Sequence, residues 1–264
     1  MILQINDLKT SYFKDQKETK AVDGVRLKIP KGCIFALVGE SGCGKSTLGL
    51  SITNLIGPKD GRVVSGSVVF EGKNILRISA DELRDIRGKS ISYIFQEPAT
   101  SLNPVFSIGE QIKEALLVHR IVRTREEAKI KAMASLKEAR LDNPERVFKS
   151  YPHQLSGGMK QRAMIAMAIS TRPKLLIADE PTTALDVDTE SEILQLLSDL
   201  REEMSLSILI ITHDIRLVRR FADRAAVMYN GKIVEVEETA KLFEKPKHAY
   251  TQMLLDSMPE RLKL

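Results

Sequence analysis

The chain opens with apolar positions set among polar ones, at Ile2, Leu3, Ile5 and Leu8. This patterning predicts strands with one covered face, punctuated by turns at Gly24 and Pro30-Lys31-Gly32. Ile34-Phe35-Ala36-Leu37-Val38 breaks the pattern with a continuous apolar run, which predicts a strand buried on both faces. A glycine-rich turn follows, and Ser46–Ile56 carries apolar residues at helical spacing. Residues 57–95 read as a β-rich insertion, with strands at Ser67–Phe70 and Ile91–Phe95 and a helix at Ala80–Arg87 between them. From about Val105 to Ser170 the pattern is helical, and Glu126–Arg140 is charged, Ala-rich and amphipathic. Leu175–Ala178 predicts a second buried strand, Glu190–Glu203 a helix, Ile208–Ile211 a strand and Ile215–Ala222 a helix. The chain then predicts a hairpin of Ala226–Tyr229 and Lys232–Val236 around Asn230-Gly231, and a last helix near Tyr250–Ser257.

Strands alternating with helices predict an α/β fold with a mainly parallel sheet. The β-rich stretch adds an antiparallel β subdomain, and the helical middle is an inserted α-helical subdomain. The expected organisation is a single domain over 1–264. Residues 1–95 and 171–264 form its core with the β subdomain, and about 98–170 the helical insert.

Composition narrows the setting. The 264 residues are 43% apolar and 28% charged, enough for a sizeable core. The net charge of +5 is mildly basic, without a block of like charges, and reads as a solvated surface with no nucleic-acid partner. Two cysteines, Cys33 and Cys43, make neither a disulfide framework nor a CxxC metal site and fit a reducing compartment. The N-terminus lacks the basic start and apolar run of a signal peptide. No apolar stretch nears the roughly 20 residues that span a bilayer. The expected location is cytoplasmic, with any membrane role exerted through a partner.

Chemistry concentrates in a few segments. Gly39-Glu40-Ser41-Gly42-Cys43-Gly44-Lys45-Ser46, followed by Thr47, fits G-x-x-x-x-G-K-[ST] between a strand and a helix. The glycines let backbone N–H groups turn inward, and the helix N-terminus adds further donors for phosphate oxygens. Lys45 can reach the β- and γ-phosphates, and the Ser46 hydroxyl can ligate Mg²⁺. Leu175-Leu176-Ile177-Ala178-Asp179-Glu180 is an apolar strand ending in two acids, placed for Asp179 to hold Mg²⁺ and Glu180 to deprotonate water. Leu155-Ser156-Gly157-Gly158-Met159 supplies a second phosphate-directed helix start. Cys43 sits beside a helix N-terminus, which lowers a thiol pKa. His119, His153 and His248 have no partners for a metal site and read as structural or exposed.

The segment Leu155–Met159 resembles the signature motif of ABC ATPases, whose usual form has Gln where this chain has Met159. The remaining motifs of that family stand in order. Gln96 in Phe95-Gln96-Glu97-Pro98 matches the glutamine that senses Mg²⁺ and water, so Ser46, Gln96 and Asp179 form the implied metal set. His213 matches the switch histidine on the γ-phosphate, and Asp186 the acid that crosses the dimer interface. Tyr12 takes the place of the adenine-stacking aromatic, with Phe13 as a substitute. Taken singly, Gln96 reads as a loop residue, His213 as a strand-end histidine and Asp186 as a helix cap.

The resemblance covers almost the whole chain. FQEPATSLNP at Phe95–Pro104, YPHQLSGGM at Tyr151–Met159 and HAYTQ at His248–Gln252 are similar to the oligopeptide/dipeptide/nickel import branch. It implies ATP and Mg²⁺ as ligands and a second ATPase subunit, in that branch usually a different homologue, as partner. It further implies two membrane permeases, an extracytoplasmic solute-binding protein reached indirectly, and a peripheral place on the inner membrane face. Glu180, His213 and Gln96 would be catalytic. Two ATPs would be clamped between the phosphate loop of one subunit and the signature motif of the other, and the loop after Gln96, with Pro98 and Asn103-Pro104, would relay closure to the permeases. Many peptide-branch members continue into a Cys-rich tail, whereas this sequence has no cysteine after Cys43, as expected either of a short, nickel-type member or of a truncated chain; its length favours nickel or a metal chelate, while the motifs leave peptide and nickel open. A non-transport ABC ATPase of DNA repair or translation is the alternative, without the coiled-coil insert or the second ATPase domain those types carry.

Overall fold

The computed structural model describes residues 1–15, 17–57 and 61–258. Residues 58–60 of the expected β-rich insertion, and 259–264 of the expected domain, lie outside the described residues. The chain divides into two compact units, Met1–Ser79 with Ser207–Leu264, and Ala80–Leu206.

The first unit starts with β1 (Leu3–Lys14) and β2 (Lys17–Ile29), which pair antiparallel with Leu3 opposite Ile29. Next come β3 (Ile34–Val38), α1 (Lys45–Ile52), β4 (Gly61–Phe70) and β5 (Lys73–Asn74). β2, β1, β4 and β5 form one antiparallel sheet in that order. Helix α1 stops before the expected Ile56. Asn54 takes a left-handed backbone (φ 51°), and the Leu55 N–H bonds back to the Leu50 carbonyl at 2.8 Å, which ends the helix.

The second unit runs α2 (Ala80–Ile86), β6 (Ile91–Ile94), α3 (Pro98–Ser101), α4 (Ile108–Val118), α5 (Arg125–Glu138) and α6 (Pro144–Lys149). A 3₁₀ turn at Pro152–Gln154 leads to α7 (Gly157–Ser170), β7 (Leu175–Asp179) and α8 (Val187–Met204). Local chemistry sets the starts. Ser107 caps α4 by accepting the Glu110 N–H, and Thr124 and Glu127 form a capping box on α5. The buried stripe of α5 is Ala128, Ala132, Ser135 and Leu136, whose small members let α4 and α7 pack closely against it. Strands β6 and β7 are parallel. The helical stretch expected at 98–170 therefore belongs to one unit with α2, β6, β7 and α8, because α7 packs on β6 and α8 as well as on its helical neighbours.

The chain returns to the first unit with β8 (Ser207–Thr212), α9 (Ile215–Phe221), β9 (Arg224–Tyr229), β10 (Lys232–Glu238), α10 (Thr239–Glu244) and α11 (Ala249–Asp256). Strand β3 lies between β8 and β9, parallel to both, and every one of its residues is buried. That position explains its unbroken apolar run. Strand β10 pairs antiparallel with β9 across Asn230 and Gly231, both at positive φ. The result is the expected α/β fold, with a parallel set at β3, β8 and β9 and a separate antiparallel sheet. Among the described residues, no helix is long and apolar enough to cross a membrane.

Candidate functional site

The loop from Gly39 to Ser46 leaves the end of β3 and turns into α1. Two glycines are required by close approach. A Cβ at Gly39 would stand 2.2 Å from the Met228 carbonyl oxygen, and one at Gly44 (φ 106°) would stand 2.1 Å from the Ala21 carbonyl oxygen. The loop is thus threaded between the backbones of β2 and β9. The Cys43 carbonyl accepts the Gly231 N–H at 2.9 Å. In a trans peptide the C=O and N–H point in opposite directions. The Gly44 N–H is therefore turned away from Gly231 and is left for another acceptor. Lys45, only 5% exposed, donates from Nζ to the Gly39 carbonyl at 2.8 Å and the Glu40 carbonyl at 2.9 Å. A buried ammonium on two neutral carbonyls, beside the first turn of a helix without acidic residues, is a receptor for anionic oxygen. Ser41 and Gly42 are exposed, and Ser46 and Thr47 lie in the first turn of α1.

Tyr12 and Phe13 separate cleanly. The Tyr12 hydroxyl lies 3.3 Å from Thr47 Oγ1, whereas Phe13 carries the Arg62 guanidinium over its ring at 4.8 Å. Neighbouring strand residues face opposite ways, so only Tyr12 meets the helix that follows the loop. Tyr12→Ala should weaken ATP affinity about 3- to 10-fold, in line with the lower range of base–aromatic stacking, while Phe13→Ala leaves it unchanged. Fluorescent-nucleotide titration checks this; equal losses would remove the assignment.

Cys43 corrects the expectation of a lowered thiol pKa. Burial pushes it up from its ordinary value of 9.0, outweighing the neighbouring Lys45 ammonium and the backbone donors. The thiolate is the reactive form. In a Cys33→Ser background, maleimide labelling of Cys43 should be slow at neutral pH and gain about tenfold per pH unit. Cys43 lies inside the Gly39–Ser46 loop, where an adduct would stand in the way of a phosphate, so complete labelling should block ATP binding; undiminished affinity in the labelled protein would refute this steric reading.

In the second unit the acids stand at the end of β7. Asp179, 4% exposed, accepts from the Tyr93 hydroxyl at 2.8 Å. Glu180 follows with φ 48°, a left-handed backbone that is unusual outside glycine and recurs at catalytic sites. Its Oε2 accepts from Gln96 Nε2 at 3.0 Å and from Thr183 Oγ1 at 2.8 Å. Gln96 and Glu180, 84 positions apart, are thereby brought together.

Ser156 caps α7 by accepting the Met159 N–H at 3.3 Å. The Gly157 and Gly158 N–H groups remain as first-turn donors, since the opening of a helix has no intrahelical partners. No acidic side chain occupies that turn. Leu155 is buried and anchors the segment. The Met159 side chain lines a groove of about 470 Å³ with Arg140, Arg162, Glu192 and Gln195. Asp186 caps α8: Oδ1 accepts the Thr189 N–H at 2.9 Å and Oδ2 the Thr189 hydroxyl at 2.8 Å. These bonds, the backbone one foremost, hold its carboxyl below the usual carboxylate range.

In the first unit, His213 is exposed just beyond β8, and Asp214 next to it caps α9 and pairs with Arg216. His248 is structural, its Nδ1 accepting the Tyr250 N–H at 3.1 Å. Several contacts escape sequence reasoning. Gln111, in α4, donates to the Asn103 and Phe106 carbonyls and accepts the Asn103 N–H, which pins the loop beyond Gln96. Tyr93 and Thr183 hold the two acids. No local pattern marks any of them. The side chain of Pro98, part of the expected relay, lies outside the described residues.

Among the described residues, no group of three or more His, Cys, Asp or Glu could hold a metal ion. Mg²⁺ does not require one. It takes one or two carboxylates together with waters and phosphate oxygens, and Ser46, Gln96 and Asp179 offer oxygen donors only, so the donor chemistry fits.

The chain matches the family described as "ABC transporter" over residues 22–183, and "Oligopeptide/dipeptide transporter, C-terminal region" over residues 234–263. It is 48% identical to the "Oligopeptide transport ATP-binding protein AppD" of Bacillus subtilis, over 98% of this chain and 78% of that one. It is 45% identical to the "Probable peptide ABC transporter ATP-binding protein y4tR" of Sinorhizobium fredii, over 99% and 78%. A solved ATP-binding cassette, a dimer in a post-hydrolysis state with ADP and Pi, superposes with a TM-score of 0.80 at 31% identity, over 90% of this chain and 98% of that chain.

Proposed function

Since the chain belongs to the ABC transporter family, we propose that it is the ATP-hydrolysing subunit of an importer whose solute is a peptide. The family membership makes it an ATPase coupled to transport. The observation that carries the peptide branch is the second match, at residues 234–263. The relatives reported above are named for peptides and oligopeptides, in favour of transport over DNA repair or translation. The nickel expectation stands on chain length alone and goes no further.

The residues take these roles. The loop Gly39–Thr47 receives the triphosphate, with the Gly44 N–H and the Lys45 ammonium as principal donors, and Tyr12 lies under the adenine. Ser46, Gln96 and Asp179 would hold Mg²⁺, which when bound would supply neutralisation of the phosphate charge. Glu180 takes a proton from the attacking water, oriented by Gln96 and Thr183, and His213 contacts the γ-phosphate. Leu155–Met159 presents the Gly157 and Gly158 N–H groups to the nucleotide of a second ATPase subunit, and Asp186 reaches across that interface. The likeness to a cassette captured as a dimer supports such pairing. ATP drives closure only because it binds the closed pair better than ADP does.

The subunit sits on the inner membrane face against two permeases, which a solute-binding protein supplies. An apolar cavity of about 220 Å³, lined by Tyr93, Phe95, Ala115, His119, Met164 and Met167, lies in the unit that carries the exposed side chains of Val105 and Phe106. The cavity and these exposed apolar side chains each suit an apolar permease segment.

The test is reconstitution with the permease subunits of its transporter. Labelled short peptides should enter vesicles only with ATP, and Ni²⁺ should not. ATPase activity indifferent to the permeases, with no uptake of peptide, would overturn the reading.

A further inference from the structure

The C-terminal helix reaches the phosphate loop through one side chain, that of Tyr250 in the HAYTQ segment, to which the sequence alone gives no role. Tyr250, in the first turn of α11, is 5% exposed and packs in a cluster with Ala36, Val38, Ile215 and Val227. Its ring centroid lies 4.2 Å from that of Tyr229. Its hydroxyl oxygen accepts the Glu40 backbone N–H at 3.0 Å. The carbonyl of the same peptide unit, that of Gly39, accepts from Lys45 Nζ at 2.8 Å. One peptide plane is therefore held at both edges, by Tyr250 on one side and by the lysine on the other.

Tyr250 is itself held in place. Glu235 in β10 accepts the Lys247 N–H at 2.9 Å and the His248 N–H at 3.0 Å, and His248 Nδ1 in turn accepts the Tyr250 N–H. Strand β10 thus fixes the start of α11, and α11 fixes the loop.

We propose that Tyr250 is a positioning residue for ATP binding: its hydroxyl sets the Gly39–Glu40 peptide plane and, through the Gly39 carbonyl, the station of the Lys45 ammonium. The proposal rests on the reading that Lys45 binds the nucleotide phosphates. Two physical effects point the same way. Accepting the N–H polarises the peptide and makes the Gly39 carbonyl a better acceptor for the lysine. Without the hydroxyl, a partly buried N–H loses its partner, and the plane turns to find another. The carbonyl turns with it, away from Lys45.

The test compares wild type, Y250F, K45A and the double variant in the full chain, with trinitrophenyl-ATP titrated to millimolar concentration. Phenylalanine keeps the ring and its packing. Y250F should weaken affinity about 3- to 10-fold, the loss expected for one hydrogen bond. In steady state it should raise KM for ATP by the same factor and leave kcat within about twofold. In the K45A background, removing the hydroxyl should change affinity less than about 1.5-fold, because the lysine it positions is gone. Wild-type affinity in Y250F overturns the proposal. So does an equal loss with and without Lys45, which is what a general loosening of the helix would give, or a fall confined to kcat. K45A binding ATP as wild type does would instead defeat the underlying reading of the lysine.

Discussion

Glu180→Gln is expected to slow ATP turnover by about 10²–10⁴-fold, the usual contribution of a general base, while nucleotide affinity stays within about twofold of wild type. The substitution preserves shape. Glutamine still offers an oxygen to Gln96 Nε2 and Thr183 Oγ1, so the left-handed turn at the end of β7 keeps its supports. What it loses is basicity. The ATP-bound pair of subunits should therefore form and persist. Single-turnover phosphate release and size-exclusion chromatography with ATP measure the two halves of this expectation. Turnover near that of wild type would remove Glu180 from the role of base and leave Gln96 as the residue to examine.

The second large effect belongs to Lys45. Lys45→Ala should weaken ATP affinity about 100-fold, on the scale of one or two hydrogen bonds to a charged group at about 1.5–3 kcal/mol each. The lysine is buried, and its ammonium is engaged by two neutral carbonyls in the absence of nucleotide. A triphosphate brings the negative charge that neutral oxygens do not. Alanine leaves both carbonyls without that donor and the phosphates without a cation. Calorimetric titration of the two proteins decides it, and retained affinity would exclude a direct phosphate contact.

The phosphate loop was legible in sequence because its constraints are local. A buried strand, glycines at set intervals and a helix start lie within twenty residues of one another, and each imposes a residue type. The hairpin at Asn230-Gly231 was legible for the same reason. What sequence could not show is which backbones enclose the loop. Ala21 belongs to the preceding strand β2, while Met228, Gly231 and Tyr250 lie far from Gly39–Ser46 along the chain, and three of the four act through main-chain atoms that any residue could supply. Tyr93 reads as an ordinary strand aromatic until its hydroxyl is seen on Asp179. Gln111 reads as helix surface until it is found bonded to the Asn103 and Phe106 carbonyls. Cys43 shows a local rule losing to a tertiary effect. Its place at a helix start argues for a reactive thiol, but the fold buries the sulfur and burial dominates. The helical stretch was recognised, yet its partnership with β6, β7 and α8 depends on packing between segments that periodicity does not relate.

The threading of the loop between Ala21 and Met228 has a consequence for how the protein is made. Synthesis proceeds from the N-terminus, so strand β3 and helix α1 leave the ribosome long before the strand that supplies the Met228 carbonyl. The Tyr250 hydroxyl follows 210 residues after Glu40. A nascent chain therefore carries the whole of Gly39–Ser46 with the Ala21 wall but without those of Met228 and Tyr250. Nucleotide capture is a late event in biogenesis, and an arrested or truncated product lacking β9 to α11 would not compete with finished subunits for ATP.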